Sequence, residues 1–260
     1  GHDGIPEYSQ VFGYDLMIQA LSGVASLTGE PGAPPNKAGV SIGDMVGGLY
    51  AVHGILAALF EREKSGRGHR IDISMLDGLV SLLTYQAGSY LGTGKVPTRM
   101  GNRHPSICPF ETLETADGHL AICCGNDLQF ERLCSALERP DLVSDERFAE
   151  NASRVQHREI LIPELQAVFK TRSVEHWLDR LGNDVPCAPI QTVDQVLEHP
   201  QLKARGMCME LEHPTVGTLK TVGCPVRIDG QSSVSQSAPP LLGQHTREIL
   251  AEIGLDDMEF

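Results

Sequence analysis

The sequence predicts an α/β chain, on three observations. Met45, Leu49, Val52, Leu56 and Leu59 recur at steps of three and four, which predicts a helix from about Asp44 to Lys64. Past the turn "SGRG", the stretch "HRIDISM" alternates Ile71, Ile73 and Met75 with polar residues, a strand pattern, and a helix-like run "LDGLVSLLTYQAGSYL" follows. Further on, "FETLETADGHLAICCGN" reads as two short strands joined at Asp117-Gly118, a strong hairpin signal. Helix, tight turn, strand and helix give way there to an α+β pattern.

Residues 14–27 place Leu16, Met17, Ile18, Leu21 and Val24 in a helix-compatible order that Gly23 interrupts. A Pro/Gly-rich loop, "TGEPGAPPNKAG", precedes the long helix, which ends in "EREK" and a glycine stop. Beyond the hairpin, helices are expected around 127–138 and 173–181. Between them Pro163 either starts or kinks the helix in "REILIPELQAVF". Thr192 and Gln195 have capping-box spacing. Two or three strands fit "MCMELEHPTVGTLKTVGCPVRI", "GQSSVSQSAPP" is a polar loop, and "HTREILAEIG" is a last helix closed by Gly254. The sequence contains no internal repeat.

The 260 residues carry 41% apolar and 21% charged side chains, an ordinary globular balance, and a net charge of -13 that argues against a nucleic-acid partner. The apolar runs read as broken short of a membrane span. Seven cysteines without CxxC or HxxxH spacing argue against a zinc site or a disulfide framework. They read as small buried residues of a reducing, cytoplasmic protein.

Asp44 is the first candidate for chemistry. In "VSIGDMVGGLYAVHGILAALF" it is the single acid, at a helix start, where an aspartate commonly accepts amide hydrogen bonds and gains from the helix dipole. Gly43, Gly47 and Gly48 strip side chains from around it, which suits close approach of a ligand, so a nucleophilic carboxylate is the second reading, compatible with the cap. In "GYD", Tyr14 and Asp15 are either a packed phenol with a cap or a polar pair lining a pocket. Arg103 and His104, in "GNRHPS", are either ordinary surface loop residues or part of a substrate loop. Cys123 and Cys124 point to opposite faces of a strand, so a Cys/His hydrolase has no support.

Six segments in order resemble the class III CoA-transferases, the family of formyl-CoA transferase and carnitine CoA-transferase. They are "GYDLMIQALSG", "GDMVGGLYAVHGILAALFEREKSGRGHRIDISMLDG", "GNRHPSI", "VPCAPIQTVDQVLEHPQLKARG", "TVGCPVR" and "APPLLGQHTREIL". The resemblance implies part of a Rossmann-like large domain plus a small α+β domain. Residues 1–100 would be the large-domain portion, 101–185 the small domain and 186–260 a return to the large domain. It implies Asp44 as nucleophile, with Tyr14 and Asp15 orienting substrate carboxyls. The reaction would pass through an aspartyl anhydride and an aspartyl-CoA thioester, with coenzyme A as substrate and no prosthetic group. It further implies an interlocked homodimer. The opening "GHDG" aligns with the middle of a family member, so the chain is expected to lack an N-terminal segment that supplies most CoA contacts. The loop near "GNRHPSICP" is short and glycine-poor, which turns the expected acid from oxalate or formate towards a succinate-type dicarboxylate.

Two rivals remain at this point. Related α-methylacyl-CoA racemases carry a histidine where this chain has Tyr14, and a phenol of pKa about 10 is a poor second base. A truncated, catalytically impaired CoA-binding module is the other.

Overall fold

The computed structural model describes residues 4, 5, 7, 12–232 and 237–255; residues 233–236 of the polar loop and most of the "GHDG" opening lie outside them. The chain forms two compact units, residues 1–189 and 190–260.

The first unit begins with α1 (Asp15–Leu21) and α2 (Val24–Leu27), separated where Gly23 takes a φ of 88°. The long helix α3 spans Ile42–Ser65 and stops at Gly66, whose left-handed conformation lets its N–H reach Arg62 O at 2.8 Å. The alternating stretch 69–74 is not a strand. Its apolar residues do share a face, but they spend it on α3. A methyl group at Gly54 would lie 3.1 Å from Ile71 Cγ2 and 3.7 Å from Ile73 Cδ1. Alternation selects a face, whereas a strand also needs a hydrogen-bonded neighbour. The run that follows is two helices, α4 (Met75–Ser81) and α5 (Thr84–Thr93), broken before Thr84 at a φ of 37°.

Glycines set the distance between α3 and α4. A methyl at Gly47 would meet Met75 Cγ at 3.2 Å, and one at Gly78 would meet Val46 Cγ1 at 3.1 Å. Ile18 of α1, Val46 of α3 and Leu79 of α4 close into a small core, with Ile42 and Met75 packed on it. Only this face of α3 is covered. Met45, Leu49, Val52, Leu56 and Phe60 are exposed, Met45 by 65% and Phe60 by 66%. At 24 residues α3 is long and apolar enough to cross a membrane by length and composition alone, contrary to the expectation of broken runs. An apolar face of this extent is an interaction surface of some kind.

The α+β part carries the main core. Strands β1 (Phe110–Glu114) and β2 (His119–Cys123) pair antiparallel, Glu114 opposite His119, so Asp117-Gly118 lies inside a four-residue connection. The helices α6 (Asp127–Ala136), α7 (Pro140–Ser144), α8 (Asn151–Gln156), α9 (Arg158–Phe169) and α10 (Val174–Leu181) follow. Pro163 sits within α9, which starts at Arg158 instead. Leu120, Phe130, Leu133, Leu161, Leu165 and Trp177 form the centre of one large core. Strand β3 (Cys187–Pro189) then pairs with β2. Residues 187–189 therefore complete a three-stranded sheet, within the first unit that runs to Pro189. No strand is found among the described residues before Phe110, where the regular elements are α1 to α5.

Arg154 locks this part together. Its side chain is fully buried, with Nε donating to Cys108 O at 2.8 Å, Nη1 to Phe148 O at 2.9 Å and Nη2 to Asp127 Oδ1 at 2.7 Å. The guanidinium also lies 4.4 Å from the centre of the Phe130 ring.

The second unit holds α11 (Val193–Leu197), entered through the capping box of Thr192 and Gln195, and α12 (Pro200–Ala204). A hairpin of β4 (Cys208–His213) and β5 (Gly217–Val222), the short pair β6 (Arg227–Ile228) and β7 (Gln231–Ser232), and α13 (Thr246–Glu252) complete it.

Replacing Arg154 by Met fills the same space but leaves the Cys108 and Phe148 carbonyls without their donor. Urea denaturation of Arg154→Met is expected to show a loss of about 2–4 kcal/mol.

Candidate functional site

Asp44 is the third residue of α3, in the helix's first turn, and its side chain is exposed. It does not cap the helix, as its position had suggested. The residue at the cap position, Ser41, makes no side-chain capping bond either. The cap comes from another helix: Asp15 Oδ1 accepts the Gly43 N–H at 2.9 Å. A methyl group at Gly43 would lie 3.1 Å from that oxygen, so the glycine makes room for the carboxylate.

Asp44 is thereby free of structural duty, and its side chain has no hydrogen bond or ion pair among the described residues. It stands in the first turn of the 24-residue helix, at the positive end of the helix dipole. Of the neighbouring glycines, Gly47 is filled by Met75, whereas a methyl at Gly48 would meet nothing within 4 Å. The open side that a ligand needs is at Gly48.

Asp15 is half-buried, and both its oxygens are engaged by the protein, Oδ1 with Gly43 and Oδ2 with the Gln19 side-chain amide at 2.8 Å. Its carboxylate thus holds the start of α3 and the Gln19 amide together. Tyr14 is 71% exposed and stacks on Phe12, ring centroids 6.2 Å apart. The Asp15–Gly43 bond thus joins two motifs that are 28 residues apart in sequence, with Tyr14 one residue before one partner and Asp44 one residue after the other.

The "GNRHPS" loop is tied to the α+β part. Arg103 Nη1 contacts Glu159 Oε1 at 2.5 Å and Nε lies 3.5 Å from Glu111 Oε1. Burial pushes the Glu111 carboxyl up against the pull of Arg103 and Arg158. Arg103 is therefore a loop anchor. Arg158 Nη2 adds bonds to the carbonyls of His104 at 2.8 Å and Ile107 at 3.2 Å. The His104 ring lies between Tyr85 and Phe110, 5.5 Å from each, and its Nδ1 accepts the Ser106 N–H at 3.2 Å. Neutral His104 accordingly carries its proton on Nε2.

Three of the seven cysteines, Cys108, Cys124 and Cys134, are buried as expected, whereas Cys208 is exposed and Cys123, Cys187 and Cys224 are half-buried. Burial pushes the Cys108 thiol up to about 11 and those of Cys124 and Cys134 up to about 12, so none is a thiolate near neutrality. Among the described residues there is no group of three metal-type ligands.

Fold and helix start together define a class of known structures. A CaiB/BaiF family protein from Brucella suis superposes with a TM-score of 0.84 at 40% identity, over 97% of this chain and 65% of that one. The chain belongs to CoA-transferase family III, whose sequence model matches residues 1–246. Among its relatives, the succinate–glutarate CoA-transferase of Agrobacterium fabrum is 38% identical over 253 residues, which is 95% of this chain and 62% of the relative. The succinyl-CoA:mesaconate CoA-transferase of Haloarcula marismortui is 36% identical over 244 residues, 94% of this chain and 61% of the relative. The chain thus spans about three-fifths of the length of these relatives.

Removal of the inter-helix cap has a direct readout. Asp15→Ala is expected to lower stability by about 1–2 kcal/mol in urea denaturation, as for a lost side-chain cap.

Proposed function

We propose that the whole protein is a CoA-transferase that moves CoA from an acyl-CoA thioester to a carboxylic acid, with Asp44 as nucleophile. The carrying observation is an exposed carboxylate in the first turn of α3, relieved of capping by Asp15 and beside the open position at Gly48. An Asp44 oxygen attacks the thioester carbonyl, the C–S bond breaks, and an aspartyl acyl anhydride and CoA thiolate result. The thiolate attacks the aspartyl carbonyl and expels the donor acid, leaving an aspartyl-CoA thioester. The acceptor carboxylate attacks that thioester and releases thiolate. Attack of the thiolate on the acceptor's acyl carbon then forms the new acyl-CoA and restores Asp44. No net proton transfer or redox change occurs, so acyl-CoA and acid suffice without a prosthetic group.

Tyr14, adjacent to the Asp15–Gly43 junction, supplies a phenolic donor to the reacting carboxyls. In the loop, His104 rather than the ion-paired Arg103 is the polar side chain available to substrate. A small dicarboxylate is the acceptor this reading favours, supported by the succinate, glutarate and mesaconate in the relatives' names. The exposed apolar face of α3 supports a homodimer in which a second copy covers it.

Two measurements test the reading. Incubation with succinyl-CoA and hydroxylamine is expected to convert Asp44 alone into a hydroxamate, visible by peptide mass spectrometry, and Asp44→Asn to lose about three orders of magnitude in transfer. Normal turnover with Asp44 unmodified would refute the mechanism. For the assembly, sedimentation should show a dimer that Leu56→Glu converts to monomer.

A further inference from the structure

We propose that Gln19 is a positioning residue for the Asp44 carboxylate, an inference that rests on Asp44 being the nucleophile. Gln19 is fully buried in α1, one turn after Asp15 on the same helix face. Its Nε2 donates to Asp15 Oδ2 at 2.8 Å and reaches Val40 O at 3.5 Å, while its Oε1 accepts the Ala38 N–H at 2.8 Å. A single amide therefore holds both the segment that leads into α3 and the carboxylate that caps it.

The consequence falls on Asp44. Asp15 receives the Gly43 N–H through its other oxygen, so the backbone is held before the helix start at Ala38 and Val40 and within it at Gly43. Asp44 follows at once, and its side chain has no fixed partner of its own among the described residues. Where its carboxylate stands is set by this backbone, and the backbone by Gln19 and Asp15. The arrangement needs a side chain that donates at one end and accepts at the other. Methionine does neither, and an ionised glutamate cannot donate. A buried network with one member unsatisfied does not hold its geometry.

The charged groups around position 19 are Asp15 in contact, Lys37 through its bond to Ala38 O at 2.9 Å, and Asp44 beyond Gly43. In Gln19→Glu a protonated carboxyl can donate to Asp15 Oδ2 and still accept from Ala38. Protonation therefore restores the network at acid pH, and ionisation breaks it as pH rises.

The test is steady-state transfer by the whole protein with succinyl-CoA and glutarate as probes, alongside thermal unfolding of each variant. Gln19→Met is expected to lose about 10- to 100-fold in kcat with both KM values within about threefold, the signature of a misplaced reacting group. The ratio of Gln19→Glu to Gln19→Met kcat is expected to rise as pH falls. A Gln19→Met kcat within about twofold of the parent overturns the inference, as does a parallel loss in both variants at every pH matched by an equal drop in melting temperature. Wild-type rates in Asp44→Asn would overturn the nucleophile assignment and this inference with it. An inactive Asp44→Asn beside an active Gln19→Met overturns this inference alone.

Discussion

The bond from the Gly43 N–H to Asp15 Oδ1, 2.9 Å long, decides how the N-terminal helices are arranged. A 24-residue helix leaves its first N–H groups unpaired, and here the residue at the cap position offers no side chain to them. An acid from α1 does so instead, which brings α1 onto the start of α3. Ile18 and Val46 then meet in one small core with Leu79 of α4. Glycine at 43 is the condition for that approach, and glycines at 47 and 78 extend the same close fit to α4. The result is a helix start fixed from outside, which leaves the acid in its own first turn uncommitted.

The α+β part solves a different problem with the same means. Its loops carry backbone carbonyls that no ladder satisfies, and arginines reach in to bind them. Arg154 takes those of Cys108 and Phe148, and Arg158 takes those of His104 and Ile107. Each guanidinium has five donors in a fixed fork, so one side chain can hold two strands of irregular backbone at once. The loop at 101–107 is consequently tied to α9 through its backbone, and His104 is set between two aromatic rings.

Local pattern was enough to read α3 to within two residues at its start and one at its end, together with its glycine stop, the hairpin and the capping box at Thr192. These features depend on residues a few positions apart. What misled was everything that depends on a distant partner. Residues 69–74 alternate correctly for a strand, yet they pack on Gly54 and pair with no neighbour. Asp44 reads as a capping acid, but it lies in the first turn, and the capping atom belongs to Asp15, 28 positions before Gly43. Gln19 is a polar residue within "LMIQAL", and its need for partners shows only once the structure places it fully buried. Arg154 is hidden in the same way, in a short helix whose local sequence gives no hint of a core arginine.

The two faces of α3 bear on one another. Towards α1 and α4 it is glycine-lined and closely packed; outwards it carries exposed methionine, leucine, valine and phenylalanine along its length. Asp44 lies at the head of the same helix and is itself open to water. In the proposed reaction two anhydrides form on that carboxylate, and water would hydrolyse either one. Burying the apolar face and drying the carboxylate are therefore two demands on a single surface, and whatever covers α3 from Met45 onward can meet both. Under the proposed mechanism the two demands join: the packing of α1 against α3 would orient Asp44, and the covering of α3 would keep water from it.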